Sequence, residues 1–153
     1  MANTFTQIYL HLVFAVQNRA SLIQPTWKDE LYKYITGIIQ NNNHKLIAIN
    51  GVANHIHIAV GYKTHQLIPE LLQDIKGDSS RWINKKRFAK GIFNWQVGYG
   101  AFSFSNSQID RVVKYINNQE QHHKKKTFLE EYVELLKKYD VSYNKKYILI
   151  DIK

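Results

Sequence analysis

The chain has no cysteine, and it is short of acid for the base it carries. Without cysteine, disulfides, thiolate metal sites and a cysteine nucleophile are excluded, which fits a reducing, cytoplasmic setting. Long apolar runs are missing too. None approaches the ~20 residues that cross a membrane, so no membrane partner is expected. A basic and then apolar leader is also lacking, since Met1-Ala2-Asn3-Thr4 runs straight into an alternating pattern. Linkers, internal repeats and low-complexity tracts are absent. What is present is a chain of 153 residues, expected to form a single domain (1–153) with a real core and no need of staples.

Twenty-one Lys and Arg against twelve Asp and Glu give a net charge of +9. Charge of that sign suits a polyanionic partner, nucleic acid before membrane, because each phosphate contact releases counterions. A solubilising surface is the plainer reading of the same excess. Aromatic residues make up 13% of the chain and offer stacking surface, although most of them belong to the core.

Alternation from Thr6 to Val16 sets Ile8, Leu10, Leu12, Phe14 and Val16 on one face of a long strand. A turn-rich loop follows. Thr26 then reads as the N-cap of a helix with Asp29 and Glu30 in its first turn and Leu31, Tyr34, Ile35, Ile38 and Ile39 along its apolar stripe. The segment from Lys45 to Ala53 predicts a second strand, with a bulge or bend at Asn50-Gly51. A third strand follows at once, stopped by Gly61, so the two form a hairpin or one bent ribbon. Pro69 opens a second helix whose far end, Arg81 to Lys90, is dense in Lys and Arg, and Trp95 to Ser105 predicts another strand. Ser107 is expected to cap a helix over 108–122, and Thr127 with Glu130 to begin another through Tyr139. Tyr147-Ile148-Leu149-Ile150 could add a short edge strand.

The order β-α-β-β-α-β followed by helices is that of an α+β, ferredoxin-like (RRM-like) sandwich. It has an antiparallel sheet, two helices on one face, and C-terminal helices beyond. The core spans about 6–123, and 124–153 is a C-terminal helix and tail read as support or a dimer contact. The second sheet face is expected to stand open for a ligand.

The third strand, Asn54-His55-Ile56-His57-Ile58-Ala59-Val60-Gly61, organises the reading. Strand alternation puts His55 and His57 on one face with Ala59, and Ile56, Ile58 and Val60 in the core. Imidazoles on neighbouring same-side positions, roughly 6.6 Å apart along the backbone, can converge on one divalent metal. Taken alone, such a pair is more often two ordinary half-exposed strand histidines. On the later helix Tyr115 and Gln119 are one turn apart, flanking the stripe of Ile109, Val112, Val113 and Ile116, with Arg111 and His122 along the same flank. The amide oxygen of Gln119 is a hard ligand suited to completing a metal site begun by two imidazoles.

In order along the chain stand Tyr9-Leu10-His11-Leu12-Val13-Phe14, His55-Ile56-His57, Lys76-Gly77-Asp78-Ser79-Ser80, Trp95-Gln96-Val97-Gly98-Tyr99 and Tyr115-Ile116-Asn117-Asn118-Gln119. This series, from about Thr6 to His123, resembles the single-tyrosine HUH transposases of the insertion-sequence-200-like (TnpA) type. One departure is Asn54, where many relatives carry Asp, so a charge beside the first histidine is missing.

The resemblance implies an enzyme of DNA transposition, cleaving and rejoining single-stranded DNA at the hairpin ends of a mobile element. Tyr115 would be the nucleophile, forming a 5′-phosphotyrosine link that keeps the bond energy for rejoining. His55, His57 and Gln119 would hold a divalent metal, Mg²⁺ or Mn²⁺ in the family, whereas the imidazoles alone suggest Mn²⁺ or Zn²⁺. A homodimer is implied, in which the tyrosine helix can act on the partner's histidines. The resemblance makes Arg81, Lys85, Lys86, Arg87 and Lys90, then Lys124, Lys125 and Lys126, candidate DNA contacts, although each cluster equally suits a solvated helix end.

Two rivals remain. A non-catalytic, domesticated protein of the same fold would bind hairpin nucleic acid without cutting, though no RNP-like run is present. A metal hydrolase using His55, His57 and a third histidine, His11 or His122, would take zinc and survive loss of Tyr115.

Overall fold

Alternation along the first strand decides the architecture. The structure, a computed structural model, describes residues 3–144. In it β1 (Ile8–Ala15) turns Leu10, Leu12 and Phe14 into the main core, while His11, Val13 and Ala15 face the other way. The order continues α1 (Lys28–Asn41), β2 (Lys45–Val52), β3 (His55–Tyr62), α2 (Ile68–Lys86), β4 (Gly100–Phe104), α3 (Ile109–Asn117), α4 (Gln119–His122) and α5 (Phe128–Lys138). The sheet runs β2-β3-β1-β4 with every pairing antiparallel, the order of the ferredoxin-like sandwich.

Helices α1 and α2 cover one face. Leu31, Ile35 and Ile39 of α1 and Leu71, Leu72, Ile75 and Ile83 of α2 meet Leu12, Phe14, Ile56, Ile58 and Val60. Burial of each such side chain stabilises the fold by about 1.5–3 kcal/mol. Tyr34 stacks on Trp82 between the two helices, ring centroids 4.6 Å apart. No helix among the described residues is long and apolar enough to cross a membrane.

The opposite face is not open. Ala48, Ala59 and Phe104 pack under Val112 and Ile116 of α3, and Val13, Ala15 and Phe102 under Phe128, Leu135 and Leu136 of α5. His55 and His57 point to this covered face, as alternation requires, and both are fully buried.

Several local boundaries differ from expectation. Trp27, not Thr26, occupies the N-cap position of α1, with no side-chain cap. Trp27 is buried and stacked on Phe88 at 5.3 Å, so packing rather than a capping oxygen fixes where that helix enters. The bulge in β2 falls between Leu46 and Ala48 instead of at Asn50-Gly51. Gly51 stays in register opposite Ile56, and its backbone lies so close to β3 that a Cβ there would meet the His55 carbonyl oxygen at 2.2 Å. Gly61 continues β3 rather than stopping it.

Trp95 makes only an isolated bridge to Val16, and the chain leaves the sheet until Gly100, with Gly98 at φ +94°. Ser105, not Ser107, forms the capping box with Gln108 ahead of α3. The predicted continuous helix breaks at Asn118, the residue that separates α3 from α4. Thr127 and Glu130 cap α5 as the sequence indicates. The expected edge strand at 147–150 lies outside the described residues.

Candidate metal and phenol site

Three elements bring polar side chains into the space between the sheet and the C-terminal helices. β3 contributes His55 and His57, the α3–α4 segment contributes Tyr115, Gln119, His122 and His123, and α5 contributes Glu131. The centre is a single carboxylate. Glu131 Oε1 lies 3.2 Å from His55 Nε2, 3.1 Å from His57 Nε2 and 2.9 Å from His123 Nε2. Glu131 Oε2 accepts hydrogen bonds from the Tyr115 hydroxyl and, at 3.1 Å, from Gln119 Nε2. Gln119 Oε1 sits 3.2 Å from His55 Nε2. The Tyr115 ring lies edge-on to His57, centroids 5.7 Å apart, within one chain.

Each imidazole has its other nitrogen engaged. His55 Nδ1 donates to Asn54 Oδ1 at 2.7 Å, His57 Nδ1 is hydrogen-bonded to His11 Nε2 at 2.8 Å, and His123 Nδ1 donates to the Lys126 carbonyl at 2.8 Å. Such bonds fix ring orientation and turn Nε2 toward the centre, the arrangement of histidines that bind metals. Asn54 therefore orients its histidine as Asp would, without the charge. The ligand atoms of His55, His57, His123 and Glu131 all lie within 4.8 Å of one another. Imidazole nitrogens beside one carboxylate oxygen fit a divalent ion in both spacing and chemistry.

Burial and charge tune these groups in opposite senses. Burial pushes His11 down to about 3 and His55 down to about 4, so both rings are neutral near pH 7. Burial also presses Glu131 toward the neutral acid, but its interactions with the His123, His55 and His57 rings outweigh it and hold the carboxyl well below its ordinary range. His123 is raised, because Glu131 beside it outweighs the desolvation that would lower it. The Tyr115 phenol is pushed up by burial and then by the negative charge of Glu131. As the side chains stand, Tyr115 is a protonated donor held against a carboxylate.

The residues singled out from sequence divide clearly. His55, His57, Tyr115 and Gln119 meet at this centre. His11 lies behind His57 rather than at the centre, and His122 Nε2 lies 3.5 Å from Glu131 Oε2 with no hydrogen-bond partner. Lys124, Lys125 and Lys126 follow His123 directly and line an open groove with Asn54 and Thr127. Within that cluster Lys126 is tied to Glu134. Arg81, Lys85, Lys86, Arg87 and Lys90 are exposed at and just beyond the end of α2, in the layer across the sheet from the histidines. Arg81 there pairs with Asp78.

Sequence reasoning missed Glu131 and His123. The signal for Glu131 was present: Phe128, Glu131 and Leu135 share one helix face, so a carboxylate occupies a core position of an apolar stripe.

The profile of the family described as Transposase IS200 like matches residues 4–119. The chain belongs to this family, and membership places it among DNA-cleaving transposases. A relative is the ISDra2 transposase TnpA of Deinococcus radiodurans, 24% identical over 118 residues that cover 74% of this chain and 84% of that one. The fold is similar to a solved structure of a Deinococcus radiodurans R1 protein described as a transposase, with TM-score 0.62 and 21% identity, covering 78% of this chain and 95% of that one. It is also similar to a REP-associated tyrosine transposase solved with a REP hairpin, with TM-score 0.61 and 14% identity, covering 80% and 73%.

Proposed function

We propose that this chain is a metal-dependent, single-tyrosine strand transferase that cuts and rejoins single-stranded DNA at the hairpin ends of a mobile element. One observation carries the reading: the Tyr115 phenol and Gln119 amide converge with the paired imidazoles of His55 and His57 inside one chain. The hairpin preference is supported by the structural likeness to the REP-associated transposase bound to its hairpin.

In this mechanism the Tyr115 oxygen attacks the scissile phosphorus in line with the 3′-oxygen. The P–O3′ bond breaks, the 3′-oxygen leaves as a hydroxyl, and the 5′-phosphate stays esterified to Tyr115. A 3′-hydroxyl from a second strand reverses the step, releases the phenol and joins DNA without an energy source. The phenolic proton already has an acceptor in Glu131 Oε2. His55, His57 and Gln119 would hold a divalent ion, Mg²⁺ or Mn²⁺, which would supply Lewis-acid charge to the scissile phosphate. Asn54 and His11 keep the two strand imidazoles aimed. Lys124, Lys125 and Lys126 flank the strand on its way to the centre. Arg81, Lys85, Lys86, Arg87 and Lys90 offer a separate surface for hairpin phosphates. The tyrosine works in cis on its own chain's histidines, so a homodimer joins two complete sites rather than exchanging helices.

The test is a hairpin oligonucleotide with a single-stranded flank, taken from the palindromes beside the reading frame and labelled at its 3′ end. With Mn²⁺ the label is expected to shift into a covalent protein adduct on a denaturing gel. Tyr115→Phe is expected to lose the adduct and keep hairpin binding. Cleavage that persists in Tyr115→Phe would identify a metal hydrolase. Hairpin binding with no adduct in any divalent ion would identify a binding protein.

A further inference from the structure

We infer that the C-terminal helix closes the metal site: His123 and Glu131 are ligands beside His55 and His57, and the preferred ion is a first-row transition metal such as Mn²⁺, Co²⁺ or Zn²⁺ rather than Mg²⁺. The inference rests on the metal-assisted reading above and changes who holds the ion, and which ion.

Glu131 Oε1 lies 2.9–3.2 Å from three imidazole nitrogens at once. Donors bound at about 2.0–2.2 Å to a common ion lie roughly 3–4.4 Å apart, so the four ligand atoms need only side-chain adjustment to share one. An ordinary ion pair would need one imidazole against the carboxylate. Here three rings aim Nε2 at it, each with Nδ1 tied elsewhere, and the carboxylate is 1% exposed on the apolar stripe of α5. That stripe packs Phe128, Leu135 and Leu136 on Val13, Ala15 and Phe102, so the helix is docked with its carboxylate aimed inward.

The donor chemistry selects the ion. Three imidazoles and one carboxylate suit the softer divalent metals, whereas Mg²⁺ takes oxygen ligands and keeps water. With Gln119 Oε1 also facing His55, the site offers five protein donors. Metal binding on these terms fastens α5 to the sheet.

The experiment titrates metal-stripped protein with Mn²⁺, following the free-ion signal by electron paramagnetic resonance, and measures amide exchange over Phe128–Lys138 with and without Mn²⁺. Glu131→Gln, which keeps the side-chain shape, and His123→Ala are each expected to weaken binding by about tenfold or more. Mn²⁺ should slow exchange in α5 of the parent protein and leave it unchanged in Glu131→Gln. Mg²⁺ should compete about tenfold less well or worse. His55→Ala tests the underlying reading. If His55→Ala loses Mn²⁺ while Glu131→Gln and His123→Ala bind within twofold of the parent, the inference falls and the reading stands. If the parent binds no metal, or His55→Ala binds as the parent does, both fall. Mg²⁺ binding as tight as Mn²⁺ overturns the choice of ion, and unaltered α5 exchange in the parent overturns the closure.

Discussion

His11 Nε2 lies 2.8 Å from His57 Nδ1, across the β1–β3 ladder and out of reach of water. Burial keeps His11 neutral, and the bond between the two rings leaves His57 Nε2 facing Glu131. His11→Phe keeps the ring volume and removes the partner. A buried nitrogen left unsatisfied costs about 1–3 kcal/mol, and loss of such a supporting bond weakens metal binding about 10–100-fold. Urea denaturation and Mn²⁺ titration of the variant are expected to show both losses. Unchanged metal affinity would mean that His11 is only packing.

Lys76 donates from Nζ to the carbonyl oxygens of Gln96 and Gly98, each at 2.7 Å, and Trp95 Nε1 donates to Ser79 Oγ at 2.8 Å. The Lys-Gly-x-Ser-Ser and Trp-x-x-Gly motifs thus brace one another: the helix ammonium holds a loop that has left the sheet. Hydrogen bonds to a charged group contribute about 1.5–3 kcal/mol each. Lys76→Met keeps much of the stem against Phe14 and should lower stability by about 2–3 kcal/mol, with faster amide exchange over 96–99. Equal stability and exchange would place the loop's support elsewhere.

Period decided how much of this could be read from sequence. A strict alternation in Ile8–Ala15 and His55–Tyr62, and a 3.6-residue stripe in α1, α2 and α5, reveal both faces of every element, so sheet order and the shared face of His55 and His57 were legible. That Tyr115 and Gln119 are neighbours was legible for the same reason, being one turn apart despite the break at Asn118, while their expected roles came from the family resemblance. The start of α1 at Trp27 was not, because a buried indole sets it. The covered second face was not either, because nothing local says where α5 docks; the stripe of α5 marks Glu131 as buried but not what it meets, and His123 carries no such mark.

Acid should destabilise the metal-free protein well before its carboxylates titrate. Unfolded histidine titrates near about 6.5, while His11 and His55 are held down to about 3 and about 4 in the fold. Below pH 6.5 the unfolded chain therefore binds two protons that the folded chain refuses. Stability should fall by up to about 2.7 kcal/mol per pH unit until His55 begins to charge. His123 acts oppositely: its favourable contribution is full below the unfolded value and disappears as pH rises through its raised folded value. Glu131, held low, contributes above the unfolded carboxyl value and loses that only in stronger acid. Urea midpoints from pH 7.5 to 4.5 should drop steeply, and His11→Phe should halve the slope. A flat profile over that range would show that neither ring is held neutral.

Gly51 is the one position where the hairpin fixes the site by having no side chain. Its backbone approaches β3 so closely that a Cβ would lie 2.2 Å from the His55 carbonyl oxygen and 2.8 Å from Ile56 Cα, both backbone atoms that cannot rotate away. Gly51→Ala must therefore part β2 from β3 at the residue that carries the first imidazole. Overpacking of this kind costs about 1–3 kcal/mol, and here the displacement also moves His55 Nε2 off the point it shares with His57 and His123. The variant should fold with a lower urea midpoint and lose most of its Mn²⁺ affinity, a larger effect on the site than on the fold. Affinity equal to the parent's, in a variant that is destabilised, would show that His55 is held by Asn54 and its ring contacts rather than by the strand beneath it.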